Sequence, residues 1–342
     1  VYKGNLIAAT SGRAYWILDD LSVLRQYKKD AGAFSIYRPD GAYLVNGSSE
    51  LDRTDEEFTG ASTYRGVNPA TGVVLYYQLP ELKKTDEISM EIRDASGSVI
   101  RSFSSKADEK AARSENGPRP DPLLPKGKGL NRYVWDMRYA TMPGVPGVRI
   151  EGSWPGHKAI PGKYKIDLKM GGQTVSTEAE ILANPLYPTT PAVYSEYHQT
   201  MFGMETELAT MHRMVNNLYE KQKQLESLLN SLGAEKHKAI KAEGEALLKK
   251  MKAWDEDMVQ RKSKAYDDVE NFPNKFTANY LFLINQTESD IPQVNQPSRD
   301  RLRELNAQWA TLKARGNELL ERDIPAFNKR LWDAGLGAIW KE

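Results

Sequence analysis

Apolar residues recur along this chain in two rhythms, and the change of rhythm divides it. From Tyr197 to Leu232 the positions Tyr197, Met201, Met204, Leu208, Met211, Val215, Leu218, Gln222, Leu225, Leu229 and Leu232 alternate steps of four and three. Only Gln222 is polar. A 3.5-residue repeat of this length predicts a helix that packs lengthwise on other helices, and at 1.5 Å per residue it runs roughly 55 Å. Methionines can make an adaptable binding face, but Met201, Met204 and Met211 lie on the seam and read as core. A second seam follows Gly233, through His237, Ile240, Gly244, Leu247, Met251, Trp254, Met258, Arg261 and Ala265. Phe276, Tyr280, Leu283 and Ile284 mark a short helix after Phe272-Pro273. The last seam is Leu302, Leu305, Trp309, Leu312, Gly316, Leu319 and Ala326, with Pro325 expected to kink it. Short connections make such helices antiparallel neighbours. The expectation is an antiparallel bundle of three long helices plus one short, closed internally and monomeric.

Between Tyr64 and Ile181 the period is two. Val73–Tyr77, Ile88–Ile92, Val99–Phe103, Tyr133–Met137, Tyr164–Leu168 and Val175–Ile181 read as short strands, with tight turns at Asp94-Ala95-Ser96-Gly97 and Gly171-Gly172. Six or seven such strands predict an immunoglobulin-like or fibronectin-like β-sandwich. Trp135 reads as its central core aromatic, and Asp136 as a surface or turn-bonding residue. The predicted fold class is therefore α+β and multidomain, a sandwich over 64–185 followed by a helical bundle over 186–342. The boundary is Asn184-Pro185-Leu186-Tyr187-Pro188-Thr189-Thr190-Pro191, a stiff link ending in an N-cap with proline behind it. Residues 31–63 read as a linker. Leu6–Thr10 and Ala14–Leu18 form a hairpin around Ser11-Gly12-Arg13, and two strands cannot bury their own faces. They read as the tail of something upstream, and Val1-Tyr2-Lys3-Gly4 carries no signal-peptide pattern.

Two long loops interrupt the strands, Ser104–Gly129 and Thr141–Pro161. Loops of this length are functional or disordered. Trp154 and His157 in the second loop, with nearby Tyr139, are the candidates for an exposed aromatic ligand platform. The competing expectation is a tryptophan folded back over a sandwich edge.

Composition narrows the chemistry. With 47 Lys+Arg against 46 Asp+Glu the formal charge is +1, and neither half is basic, which argues against nucleic acid as a partner. No run approaches a membrane span. Cysteine is absent, which removes disulfides, thiolate metal sites and cysteine nucleophiles. The four histidines, His157, His198, His212 and His237, include no pair at the spacing of a zinc-binding helix. His198 and His212 stand roughly 21 Å apart on one helix. Asp19-Asp20 reads as turn chemistry, Gly127-Lys128-Gly129 lacks phosphate-loop spacing, and no Gly-x-Ser-x-Gly elbow occurs. No catalytic residue, metal or cofactor is expected.

The stretch Ala8-Ala9-Thr10-Ser11-Gly12-Arg13-Ala14-Tyr15-Trp16-Ile17-Leu18-Asp19-Asp20-Leu21-Ser22-Val23-Leu24-Arg25-Gln26 resembles the end of the last propeller blade in large bacterial proteins with sortilin-type or BNR-type repeats. Those proteins are often labelled glycosyl hydrolase or sialidase-like. Gly129–Tyr139, Pro161–Leu168 and Asn184-Pro185 resemble the Ig-like module that follows the propeller there, and a helical tail comes after it. The resemblance implies that residues 1–30 are remnant strands of an upstream blade. It also implies export to the periplasm, the medium or the cell surface, and a propeller domain as partner. No aspartate-box repeat (Ser-x-Asp-x-Gly-x-Thr-Trp) is present, and no catalytic residue carries over. The function expected is a non-catalytic C-terminal accessory module of such a propeller protein. The alternative is a carbohydrate-binding or glycoside-hydrolysing role built on the long loop.

Overall fold

The computed structural model describes residues 4–18, 20–27, 33–52, 67–108, 116–187, 189–233, 237–288 and 293–336. Over these the chain is mixed α and β, with strands in three sheets and a helical second half.

Strands β1 (Leu6–Ala9) and β2 (Tyr15–Leu18) form an antiparallel hairpin, with every one of their residues exposed. A five-residue helix, α1 (Ser22–Gln26), follows. The stretch read as a linker supplies two short strands, β3 (Ser35–Ile36) and β4 (Ala42–Tyr43). Its residues 53–63 lie outside the described residues. The period-two region then gives β5 (Val73–Leu79), β6 (Ile88–Arg93), β7 (Val99–Ser104), β8 (Gly129–Trp135), β9 (Gly162–Met170) and β10 (Gln173–Leu182). One sheet runs β4-β10-β9-β6-β7 and the other β3-β5-β8. Side chains that alternate across a strand put one row inward: Val73, Leu75, Tyr77 and Leu79 of β5 and Ile88, Met90 and Ile92 of β6 are buried. These rows share one core. Trp135 sits in it, edge-on to Tyr164 at 5.4 Å. Asp136 is exposed and accepts the Arg138 amide at 3.1 Å, as turn chemistry requires. The β6–β7 turn closes where Gly97 takes φ +86°, a conformation glycine adopts without strain. Asp94 Oδ1 accepts from the Ser96 and Ser98 amides there.

The helical half opens with α2 (Pro191–Ser231), 41 residues long. Thr190 caps it by accepting the Val193 amide, and proline follows where no amide is needed. Every position of the predicted seam is buried. Helices α3 (Lys238–Met258), α4 (Phe276–Thr287) and α5 (Gln296–Glu318) pack on it. Lys252 pairs with Glu226, and further along α3's direction Arg261 lies over the Tyr219 ring, so α2 and α3 run in opposite senses.

Two seams end differently from expectation. Arg261 and Ala265 do not continue α3, because the backbone turns extended at Val259 (φ −138°, ψ 151°) and Val259 fills the core instead. Arg261 folds back to grip Asp255 with bonds of 2.6 and 2.7 Å. In the last seam Ala326 is exposed. Proline at 325 has no amide to give the preceding turn, and the chain widens over Leu319–Asp323 into a π-type turn with the Ile324 amide bonded to the Leu319 carbonyl. The extra residue moves the buried face to Ile324, Phe327 and Leu331 of α6 (Ile324–Asp333).

The loop Thr141–Pro161 is the main departure from a sandwich joined to a bundle by a stiff link. Met142, Val145, Val148, Ile150 and Trp154 are buried in the core of the helices, and Tyr194 of α2 belongs to the core of the sheets. Polar ties follow the same path. Ser153 and Asn285 exchange bonds of 2.8 and 2.9 Å, and Arg138 is bonded to Glu288 at the C-terminal end of α4.

Candidate functional site

The residues expected to form a ligand platform come together only in part. Tyr139 follows β8 and His157 precedes β9. The Tyr139 amide donates to the His157 carbonyl at 3.0 Å, and the bridge Arg138–Lys158 holds the two segments side by side. The rings of Tyr139 and His157 stack, with centroids 4.4 Å apart and planes 11° off parallel. Trp154 does not join them. It is only 5% exposed, its indole N–H donates to the Asn116 carbonyl at 2.7 Å, and its ring packs near His212. His157 is fully buried. An exposed platform of these aromatics is therefore corrected: the loop's apolar residues are covered by helices, because five large side chains on one loop gain more from burial than from water.

Helix α2 supplies what the sequence reading missed. His198 and Glu205 are seven residues, two turns, apart and so share a face. Glu205 is 8% exposed and uses both oxygens on His157. Its Oε1 accepts the His157 backbone amide at 2.7 Å, and Oε2 lies 2.9 Å from Nδ1. Nε2 of His157 lies 2.8 Å from Nδ1 of His198. A carboxylate can only accept, so Nδ1 of a neutral His157 carries the proton and its Nε2 accepts from His198. That leaves Nε2 of His198 as the unprotonated end of the chain. Burial, and after it the neighbouring His157, hold the His198 pKa below the ordinary histidine value, against the pull of Glu205 and Asp94. Burial pushes the Tyr139 phenol up to about 12, with Asp94 and Glu205 adding to the rise.

Tyr139, His198 and Glu205 of this cluster line an open groove of about 460 Å3 between the β6–β7 turn, the segment Tyr139–Pro143 and α2. Phe202 stands at its edge, 50% exposed, 6.0 Å from the Tyr139 ring and 5.7 Å from that of His198. A second cavity of about 400 Å3 lies by Asp52, Asp136, Arg138 and Lys158, where Asp52 is taken up by Thr71 and Ser49 and Arg138 by Glu288.

Ser98 lines the groove, but its hydroxyl pairs with Ser96 inside the turn at 2.9 Å. Among the described residues no serine or threonine hydroxyl is bonded to His157 or His198. The two imidazoles are bonded to each other, and no group of three or more potential metal ligands occurs among the described residues. No described helix is long and apolar enough to cross a membrane. Comparison with known proteins adds nothing to the geometry: no family model, no curated protein and no solved structure matches the chain.

Proposed function

We propose that this chain is a non-catalytic accessory region of an exported bacterial propeller protein of the kind labelled glycosyl hydrolase, acting in the periplasm, the medium or at the cell surface. In this reading the β half is an Ig-like sandwich and the helices an antiparallel bundle, held together as one rigid, monomeric spacer. A propeller domain is its partner. The observation that carries the reading is the destination of the long loop, whose Met142, Val145, Val148, Ile150 and Trp154 are spent on joining sheets to helices. The site-like cluster is spent in the same way, since both oxygens of Glu205 serve His157. The β1–β2 hairpin supports a docked partner. Leu6, Tyr15, Trp16, Ile17 and Leu18 are all exposed, and apolar patches of that kind mark interaction surfaces.

The test is turnover of aryl glycosides and binding to a glycan panel, by the chain alone and by the chain joined to its propeller. The expected outcome is no turnover and no glycan binding by the chain alone, with any activity confined to the chain joined to its propeller. Turnover by the chain alone overturns the reading. The alternative of a sugar platform has lost Trp154 and His157 to the interior and retains only the edge of Tyr139.

A further inference from the structure

We propose that the groove between the β6–β7 turn and helix α2 binds a small organic cation, an alkylammonium group seated against aromatic rings and drawn by Asp94. This goes beyond the accessory role and stands on the groove alone.

Three rings meet there. Tyr139 and His198 lie 5.2 Å apart, and Phe202 stands near both, with half its surface open to solvent. Aromatic faces are electron-rich and attract a cation placed within about 6 Å of the ring centre. The volume of about 460 Å3 falls in the range of small-ligand sites, and its walls mix apolar side chains with a few polar groups.

The charge of the groove has one sign. Its lining includes Asp94 and Glu205 and no lysine or arginine. Asp94 Oδ1 serves the turn amides, and among the described residues it makes no ion pair. Among the described residues Glu205 pairs only with His157. The cations nearby are committed elsewhere, Arg101 to Asp121 and the Tyr139 carbonyl, and Arg93 to Glu91, Asp167 and the Gly97 carbonyl. Burial holds the His198 pKa below the ordinary histidine value, which disfavours a compensating charge there. Two carboxylates beside the rings favour a positive ligand and repel an anion. A methylated ammonium suits the site because it offers an apolar surface to the rings and a charge to the acids.

Calorimetric titration of the whole chain with tetramethylammonium, and with tert-butanol as its neutral counterpart, tests this. Saturable binding of tetramethylammonium at millimolar concentration is expected, with none for tert-butanol or methyl glucoside. Phe202→Ala should weaken it roughly 2- to 30-fold, the span of measured cation–ring attractions. Asp94→Asn keeps the oxygen that closes the turn and should weaken binding while leaving the melting temperature unchanged. Raised salt should weaken it too. The proposal is overturned by equal binding of the neutral compound or the glycoside. Absence of saturable binding overturns it as well, as do either variant binding as wild type or salt leaving binding unchanged.

Discussion

His157 and Glu205 are joined at two points, through the backbone amide and through the ring, so one carboxylate fixes both where the loop lies and which way its histidine faces. The contact spans 48 residues of sequence and ties a loop of the sheets to the long helix. Glu205→Ala leaves two buried donors without an acceptor, a loss of about 3 kcal/mol. Glu205→Gln keeps one acceptor and should lose less. Urea unfolding of the two variants checks the order; equal stability of Glu205→Ala and wild type would show that the contact contributes nothing.

Trp154→Ala removes a side chain that is only 5% exposed and should cost about 3–5 kcal/mol. The effect belongs to folding, so the cation titration of a still-folded Trp154→Phe variant should match wild type. A Trp154→Ala protein that melts as wild type would return the residue to the surface.

Acid should weaken the fold through His212. It is fully buried, with Nδ1 2.7 Å from the Pro143 carbonyl, and burial lowers its pKa to about 4. The folded pKa lies below the unfolded one, so the unfolded chain takes up the proton first. Stability is then unaffected above about pH 6.5 and falls as pH drops toward 4, by on the order of 3 kcal/mol. His198, shifted in the same direction, adds to the slope. Unfolding free energies between pH 4 and 7 check this: His212→Leu should flatten the slope, even though it lowers stability at pH 7 by removing the bond to Pro143.

Two glycines should respond to alanine in opposite directions. A Cβ at Gly72 would sit 2.2 Å from the Trp135 carbonyl oxygen, a backbone atom that cannot move without opening the β5–β8 pairing. A Cβ at Gly203, exposed inside α2, would meet nothing. Gly203→Ala should stabilise by about 1 kcal/mol, while Gly72→Ala should destabilise by about 1–3 kcal/mol. Melting temperatures decide both signs.

Substitution of the exposed hairpin, as in Trp16→Ser with Ile17→Thr, should leave stability within about 0.5 kcal/mol of wild type. The same pair should weaken docking of a propeller domain in a pull-down with that domain. A large loss of stability would show the hairpin to be part of this chain's own core.

The periodic elements were legible in the sequence because their signal is local. The seam from Tyr197 to Leu232 needs only the helical repeat, and the strands around Met90 and Leu75 need only alternation. The ends were less legible. Nothing local says that Val259 replaces Arg261 in the core, or that Pro325 shifts the buried face from Ala326 to Phe327. The site was hidden for a further reason. His157 and His198 lie 41 residues apart, and their meeting depends on how a sheet edge sits on a helix. The available hint was weak: His198 and Glu205 are polar residues two turns apart, directly beside the seam positions Tyr197 and Met204.

The exchange of side chains between the two cores bears on how this chain can be cut. Composition invites a scissile point at the proline-rich stretch near Tyr187. A fragment ending there would carry Met142, Val145, Val148, Ile150 and Trp154 bare into water, and the helical fragment would be left with the hollow they fill. Tyr194 would be missing from the sheets in turn. Expression and transplantation should therefore keep the stretch from β3 to α6 together. A recombination event at the prolines, natural or engineered, would yield two insoluble halves where the linker promises two modules.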